Sequence, residues 1–163
     1  MKKSQGKKFE ENFRKSIDLE DKNLFFYRFK DGTANWSRNE FTRFQNHNIS
    51  DCMIFYKGKL FICELKSHKG KSIPLTCIRP TQLEEMVSAS EKENVIPLLI
   101  VFFSDLDLCY ALHICDVDKI TEQIGSKSIS LSYCIQKGFK IENEKLRTNN
   151  RFYVKDFLDK ILK

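Results

Sequence analysis

The chain of 163 residues lacks several features that would assign it to a particular class. No apolar run approaches the ~20 residues of a membrane-spanning helix. The basic start, Met1 to Gln5, is not followed by an apolar segment, so no secretory signal is predicted. No two of the six cysteines form a CxxC pair, which leaves zinc-binding and thioredoxin-like functions without support. Internal repeats and low-complexity tracts are also absent. We therefore expect one cytoplasmic domain, residues 1–163, with reduced cysteines.

The composition is that of a folded, basic protein. Hydrophobic residues make up 41% of the chain and charged residues 31%, which is enough for a core and excludes a disordered chain. The formal net charge is +6. An excess of positive charge favours a partner with a phosphate backbone, although many basic proteins bind no nucleic acid.

One stretch, residues 50–74, carries the unusual chemistry. Two apolar runs of strand length flank the turn at residues 57–59, a pattern that predicts a β-hairpin. Glu64 and Lys66 lie two residues apart on the second strand, so their side chains leave the same face. A carboxylate and an ammonium on an apolar strand are costly if buried unpaired. A cation bound by Asp51 and Glu64 would offset that cost. The alternative is an exposed strand with an ordinary surface ion pair.

The residues around this hairpin occur in an ordered set. Asp51 precedes the hairpin and Glu64-Leu65-Lys66 ends it; further members are Gly6 with Glu10, Pro74-Leu75 and Gln82. The central part resembles the catalytic signature of the PD-(D/E)XK nuclease superfamily. The whole set, over roughly residues 6 to 115, resembles the RecU family of Holliday junction resolvases.

The resemblance implies an active site and a reaction. It implies catalytic roles for Asp51, Glu64, Lys66, Gln82 and Glu10. It also implies that Asp51, Glu64 and the backbone carbonyl of Leu65 bind Mg²⁺, for which Mn²⁺ could substitute. The expected reaction is hydrolysis of a DNA phosphodiester, in which Lys66 orients the attacking water or stabilises the transition state. For Glu10 and Gln82 the sequence leaves open an ordinary solvated position on a helix.

Basic residues outside this set are candidates for DNA contacts. Lys69, Lys71 and Arg79 form a basic segment whose natural partners are backbone phosphates, unless it is a solvated loop. Residues 31–48 correspond to an insertion that in RecU-like enzymes forms a stalk entering the junction. Arg38 and Arg43 lie there among aromatic residues, which suits stacking on unpaired bases or packing onto the core.

The rest of the chain predicts an α/β fold. We expect helices at residues 5–17, 80–90, 116–124 and 154–162, and further strands at 24–29, 95–103 and 108–114. The run 95–103 is apolar throughout, which indicates a central strand buried on both faces. Together these elements predict a restriction-endonuclease-like mixed sheet of four or five strands, flanked by helices.

The expected function is Mg²⁺-dependent resolution of four-way (Holliday) junctions in recombination and repair. A symmetric homodimer suits a two-fold junction, because it places two equivalent sites on opposite strands. Three alternatives remain open: another PD-(D/E)XK endonuclease acting on duplex or branched DNA, a non-catalytic DNA-binding module, and an α/β protein without a nucleic-acid role.

Overall fold

A computed structural model describes residues 5–18, 22–29, 48–121 and 125–163. Helices and strands alternate along these residues. The helices are α1 (Gln5–Asp18), α2 (Pro80–Ser90), α3 (Ile114–Lys119), α4 (Leu131–Lys137) and α5 (Val154–Ile161), with a 3₁₀ turn at Leu75–Cys77. The strands are β1 (Phe25–Arg28), β2 (Cys52–Tyr56), β3 (Lys59–His68), β4 (Ser72–Pro74), β5 (Val95–Phe103), β6 (Leu108–His113), β7 (Ser128–Ser130), β8 (Phe139–Ile141), β9 (Asn143–Lys145) and β10 (Asn150–Phe152).

The main sheet is mixed, in the order β1-β2-β3-β5-β6-β8. Strands β3 and β5 are parallel, and every other neighbouring pair is antiparallel. This confirms the expected α/β class. The sheet has six strands rather than four or five, because β8 adds an edge strand of three residues. A segment that short has no hydrophobic period from which a strand is recognised.

Helices cover the sheet on both faces. On one face, α1 and α5 pack against the sheet through apolar side chains; Phe9, Phe13 and Phe157 are all buried there. On the other face, α2 and α3 pack over β3, β5 and β6. The central strand β5 is buried from Pro97 to Phe103, as its continuous apolar run predicted. Its neighbours on the two sides begin at different points: β3 pairs with it from Val95, whereas β6 pairs only from Leu98. Pro97 therefore needs no partner on the β6 side.

The predicted hairpin is confirmed as β2 and β3. Its turn residues, Lys57 and Gly58, have φ angles of 48° and 74°. Two successive positive φ angles are typical of the tight turn that matches the twist of antiparallel strands. The turn fixes the register, in which Cys52 lies opposite Cys63. Register matters here because it decides which side chains of β2 and β3 share a face.

One predicted helix boundary needs correction, and the proposed stalk is largely outside the described residues. The helix predicted at 116–124 begins earlier, at Ile114, directly after β6, so Asp116 lies in its first turn. The proposed stalk, residues 31–48, lies outside the described residues except for Asn48. Among the described residues, no helix combines the length and the apolar character needed to cross a membrane.

Candidate active site

Asp51, Glu64 and Lys66 lie at one corner of the sheet and face the same side. Asp51 immediately precedes β2, and continuing the register by one residue puts it opposite Glu64. Directly opposite residues on antiparallel strands point to the same face. Lys66 follows two positions along β3, and its Nζ lies 2.5 Å from Oε1 of Glu64. Two acids on neighbouring strands and an amine therefore converge, as the sequence pattern predicted.

A backbone hydrogen bond holds the Asp51 carboxylate in place. The Leu65 amide donates to Oδ2 of Asp51 at 2.8 Å. In a strand, the N–H and C=O of one residue point toward the same neighbouring strand. The Leu65 carbonyl thus points to the side of β3 where Asp51 lies, just before the first residue of β2. The Leu65 side chain points the other way, into the core under α1.

Gln82 joins the site from α2. The helix begins at Pro80, which suits the first turn because a proline has no amide hydrogen to leave unpaired. Gln82 is only 5% exposed, so it is not an ordinary surface glutamine. Its Nε2 donates to Oε2 of Glu64 at 2.7 Å and to the Ile49 carbonyl at 3.1 Å. Both hydrogens of the amide are therefore used within the protein.

Glu64 is a buried carboxyl whose pKa is shifted by its surroundings. It is 3% exposed, and burial raises its pKa above the ordinary value. The nearby Asp51 charge raises it further, while Lys66 and Gln82 oppose the shift. For Lys66, burial acts to lower the pKa, but the Glu64 and Asp51 carboxylates outweigh it and the pKa is raised. The amine therefore stays charged, and it compensates only one of two clustered negative charges.

The residues at this corner fit a hard divalent cation. Among the described residues, no group of three or more His, Cys, Asp and Glu side chains is placed to hold a metal. Mg²⁺ is commonly bound by only one or two carboxylates, with water and substrate oxygens completing its shell. Asp51, Glu64 and the Leu65 carbonyl would supply such a partial set. A cation there would also relieve the repulsion that raises the Glu64 pKa.

Glu10 occupies a different environment. It lies on α1, and its Oε2 accepts a hydrogen bond of 2.6 Å from the Arg28 guanidinium of β1. The structure therefore places Glu10 in an ion pair with β1, not in a group of three acids with Asp51 and Glu64. Arg28 uses one of its donors, Nη2, in this pair. A catalytic role for Glu10 stays a prediction.

The basic segment after β3 is exposed and partly anchored. Lys69 and Lys71 flank Gly70, whose amide donates to both carboxylate oxygens of Asp105, at 2.9 and 3.0 Å. The Asp105 carboxylate thus holds the backbone of the basic loop in place. Arg79 is exposed before α2, and its Nη2 lies 3.4 Å from the Asn48 carbonyl. Arg38 and Arg43 lie outside the described residues.

Two neighbours of the site were not found from the sequence. The Ile49 carbonyl accepts from Gln82, and the partly buried Cys77 interacts electrostatically with Lys66 and Glu64. Neither contact can be recognised in a sequence. Every residue has a backbone carbonyl, and a cysteine outside a CxxC motif does not by itself indicate a functional site.

The fold and the site together define a class of protein. The mixed sheet with an acidic, lysine-bearing strand pair is compatible with a restriction-endonuclease-like fold. The model of the family described as "Recombination protein U" (RecU) matches residues 29–153, which is most of the chain. The chain belongs to the RecU family, and membership implies a role as a Holliday junction resolvase.

One curated relative is similar over nearly the whole length. It is the "SPbeta prophage-derived uncharacterized protein YotM" of Bacillus subtilis (strain 168), 31% identical over 175 residues. The similarity covers 98% of this chain and 88% of the relative. Its name assigns no activity, so it supports the family and adds nothing about the reaction.

Proposed function

We propose that this chain is a Mg²⁺-dependent endonuclease that cuts four-way DNA junctions. The observation that carries the proposal is the convergence of Asp51 and Glu64 on one face, with the Lys66 ammonium 2.5 Å from Glu64. Family membership supplies the reaction class, and the net charge of +6 supports a polyanionic substrate.

The proposed roles follow from position and charge. Asp51 and Glu64, with the Leu65 carbonyl, would hold Mg²⁺. The chemistry that Mg²⁺ supplies when bound is activation of a water and neutralisation of phosphate charge. The Lys66 ammonium pairs with Glu64, so it lies beside the same site and could orient the attacking water or stabilise charge on the phosphate. Gln82 donates to Oε2 of Glu64 and so fixes the orientation of the carboxylate that would hold the ion.

We propose a junction as the substrate, rather than any duplex, because the RecU family implies a role as a Holliday junction resolvase. A homodimer is part of the same proposal, since two symmetric sites would cut the two opposed strands of a two-fold junction. The exposed Lys69, Lys71 and Arg79 are proposed to contact backbone phosphates beside the site. The same role is proposed for Arg38 and Arg43.

The deciding experiment compares two DNAs of identical sequence, a four-way junction and a linear duplex. We expect Mg²⁺ to support cutting of the junction and EDTA to abolish it. Asp51→Asn should abolish cutting while junction binding is kept. The Glu84→Gln variant, which changes an exposed carboxyl on α2, is the matched control and should cut like the wild type.

Each of the other possible results would indicate a different function for this chain. Equal cutting of the junction and the duplex would replace the junction-specific enzyme with a general endonuclease of the same fold. Binding without cutting in Mg²⁺ or Mn²⁺ would replace the enzyme with a DNA-binding module. Binding that does not weaken with added salt would argue against contacts with the phosphate backbone altogether.

A further inference from the structure

Beside the candidate active site, part of the sheet carries exposed aromatic side chains. Phe25, Tyr27 and Phe55 are 57%, 46% and 48% exposed, and they account for half of the six large hydrophobic side chains exposed among the described residues. Phe29 follows directly after β1, and its ring contacts that of Tyr27 at 5.5 Å. We call Phe25, Tyr27, Phe29 and Phe55 the aromatic strip.

The strip lies on the same face as the acidic corner. Phe25 is opposite Phe55, and Phe55 is opposite Leu60, which packs under α2. Alternation along the strands then puts Tyr27 and Phe29 on this face as well. The Phe29 amide donates to the Asp51 carbonyl at 3.0 Å, so the strip ends directly beside a proposed metal ligand.

No helix covers this part of the sheet among the described residues. The apolar cluster under α2 includes residues of β3, β5 and β6, but none of β1 or β2. On the opposite face, by contrast, Phe26 and Ile54 are packed against the cluster under α1 and α5. The aromatic side chains are thus exposed on the face that carries the acids and covered on the face that does not.

The area of the strip argues against a second copy of the chain as its occupant. A fully buried aromatic side chain removes about 150–250 Å² from water. At roughly half exposure, three rings offer on the order of 300 Å². A stable interface buries about 800 Å² on each partner. The strip by itself is too small for a dimer, but it is large enough for one or two nucleobases.

We infer that the aromatic strip stacks on base faces exposed where DNA helices end at a branch point. Every nucleobase has a π face, so aromatic side chains bind bases without regard to sequence. A DNA whose phosphate lies at Asp51 and Glu64 would pass over or beside this strip, because the two surfaces are continuous. Linear duplex keeps its interior bases stacked and would not use the strip. The inference rests on the proposed function and adds a source of selectivity for branched DNA.

The test measures binding in EDTA, where cutting does not interfere. The Phe25→Ala and Phe55→Ala variants, singly and combined, are compared with wild type on a four-way junction and on linear duplex of the same sequence. Each substitution should weaken junction binding by about tenfold, the effect typical of losing one stacked base, and leave duplex binding unchanged. The control is Ile135→Ala, which removes a side chain that is 59% exposed on α4. Tyr27→Phe keeps the ring and should bind like wild type, whereas Tyr27→Ala should not.

A second readout reports stacking directly. A junction with 2-aminopurine beside the branch point should lose fluorescence when wild-type protein binds and keep it with Phe25→Ala/Phe55→Ala. Unchanged junction binding in all strip variants would overturn the inference. So would equal losses on junction and duplex with a smaller sedimenting mass, because that result identifies a dimer interface. Failure of the wild type to cut any DNA would contradict the proposed function alone, since this test does not depend on cutting.

Discussion

The Gln82 amide and the Glu64 carboxylate are joined by a buried hydrogen bond of 2.7 Å. This bond ties the start of α2 to strand β3 at the candidate active site. Because the same nitrogen also donates to the Ile49 carbonyl, one side chain links three segments of the chain. The expected consequence is that Gln82 positions Glu64 and does not itself contact the substrate.

Replacing Gln82 should therefore affect stability and cutting together. Gln82→Ala leaves a buried carbonyl and a buried carboxylate oxygen without their donor, a loss of about 1–3 kcal/mol in the free energy of unfolding. Urea denaturation measures that loss, and Glu85→Ala on the exposed side of α2 is the control. A Gln82→Ala protein as stable as Glu85→Ala would show that the hydrogen bonds contribute little.

Removing the Lys66 charge should shift the pH profile of cutting. In Lys66→Met the Glu64 carboxylate loses the cation that opposes its raised pKa, so that pKa rises further. Because ionised Glu64 is the proposed metal ligand, the acidic limb of the single-turnover rate should move to higher pH. Lys66→Arg keeps the charge and should move it less. If the acidic limb of the pH profile stays in place in Lys66→Met, ionisation of Glu64 does not control the rate of cutting.

Mg²⁺ should stabilise the folded protein in the absence of DNA. A ligand at 100 times its dissociation constant stabilises the folded state by about 2.7 kcal/mol. In thermal melts, the midpoint of the wild type should rise with increasing Mg²⁺, whereas the midpoint of Asp51→Asn should not change. The asparagine oxygen can still accept the hydrogen bond from the Leu65 amide, so the substitution tests charge more than structure. Equal Mg²⁺ responses in both proteins would place the ion elsewhere.

Asp159 should make stability depend on pH at the acidic end. Its carboxylate accepts hydrogen bonds from Lys57, Lys155 and Tyr56, and these partners hold its pKa well below the usual range. A lowered folded-state pKa gives stability that is present above the unfolded value and is lost as pH falls through the folded value. The stability difference between wild type and Asp159→Asn should therefore be largest near neutral pH and shrink on acidification.

The control for this prediction is Asp156→Asn, an exposed carboxyl of the same helix. Thermal melts from pH 7 down to pH 2 should give it a much smaller effect. A difference for Asp159→Asn that stays constant over this range would mean that the carboxylate charge is not what stabilises the contact between the hairpin turn and α5.

Local patterns were sufficient to predict most of the fold. The Lys57-Gly58 turn, the alternation that puts Glu64 and Lys66 on one face, and the apolar run 95–103 each depend on residues close together in the chain. The start of α2 at Pro80 was also predicted from the sequence around it. The edge strand β8 was not predicted, because three residues are too few to show the alternation of apolar and polar residues by which a strand is recognised.

The sequence by itself determined which residue types meet on the hairpin, because strand alternation and turn geometry are local properties. Only the tertiary structure decided that Gln82 is buried against Glu64, that Glu10 pairs with Arg28, and that no helix of the described part of the chain covers the aromatic strip. These relationships join residues far apart in the chain. They depend on how α1 and α2 pack across the sheet, and that packing is set by the whole core and not by any one segment.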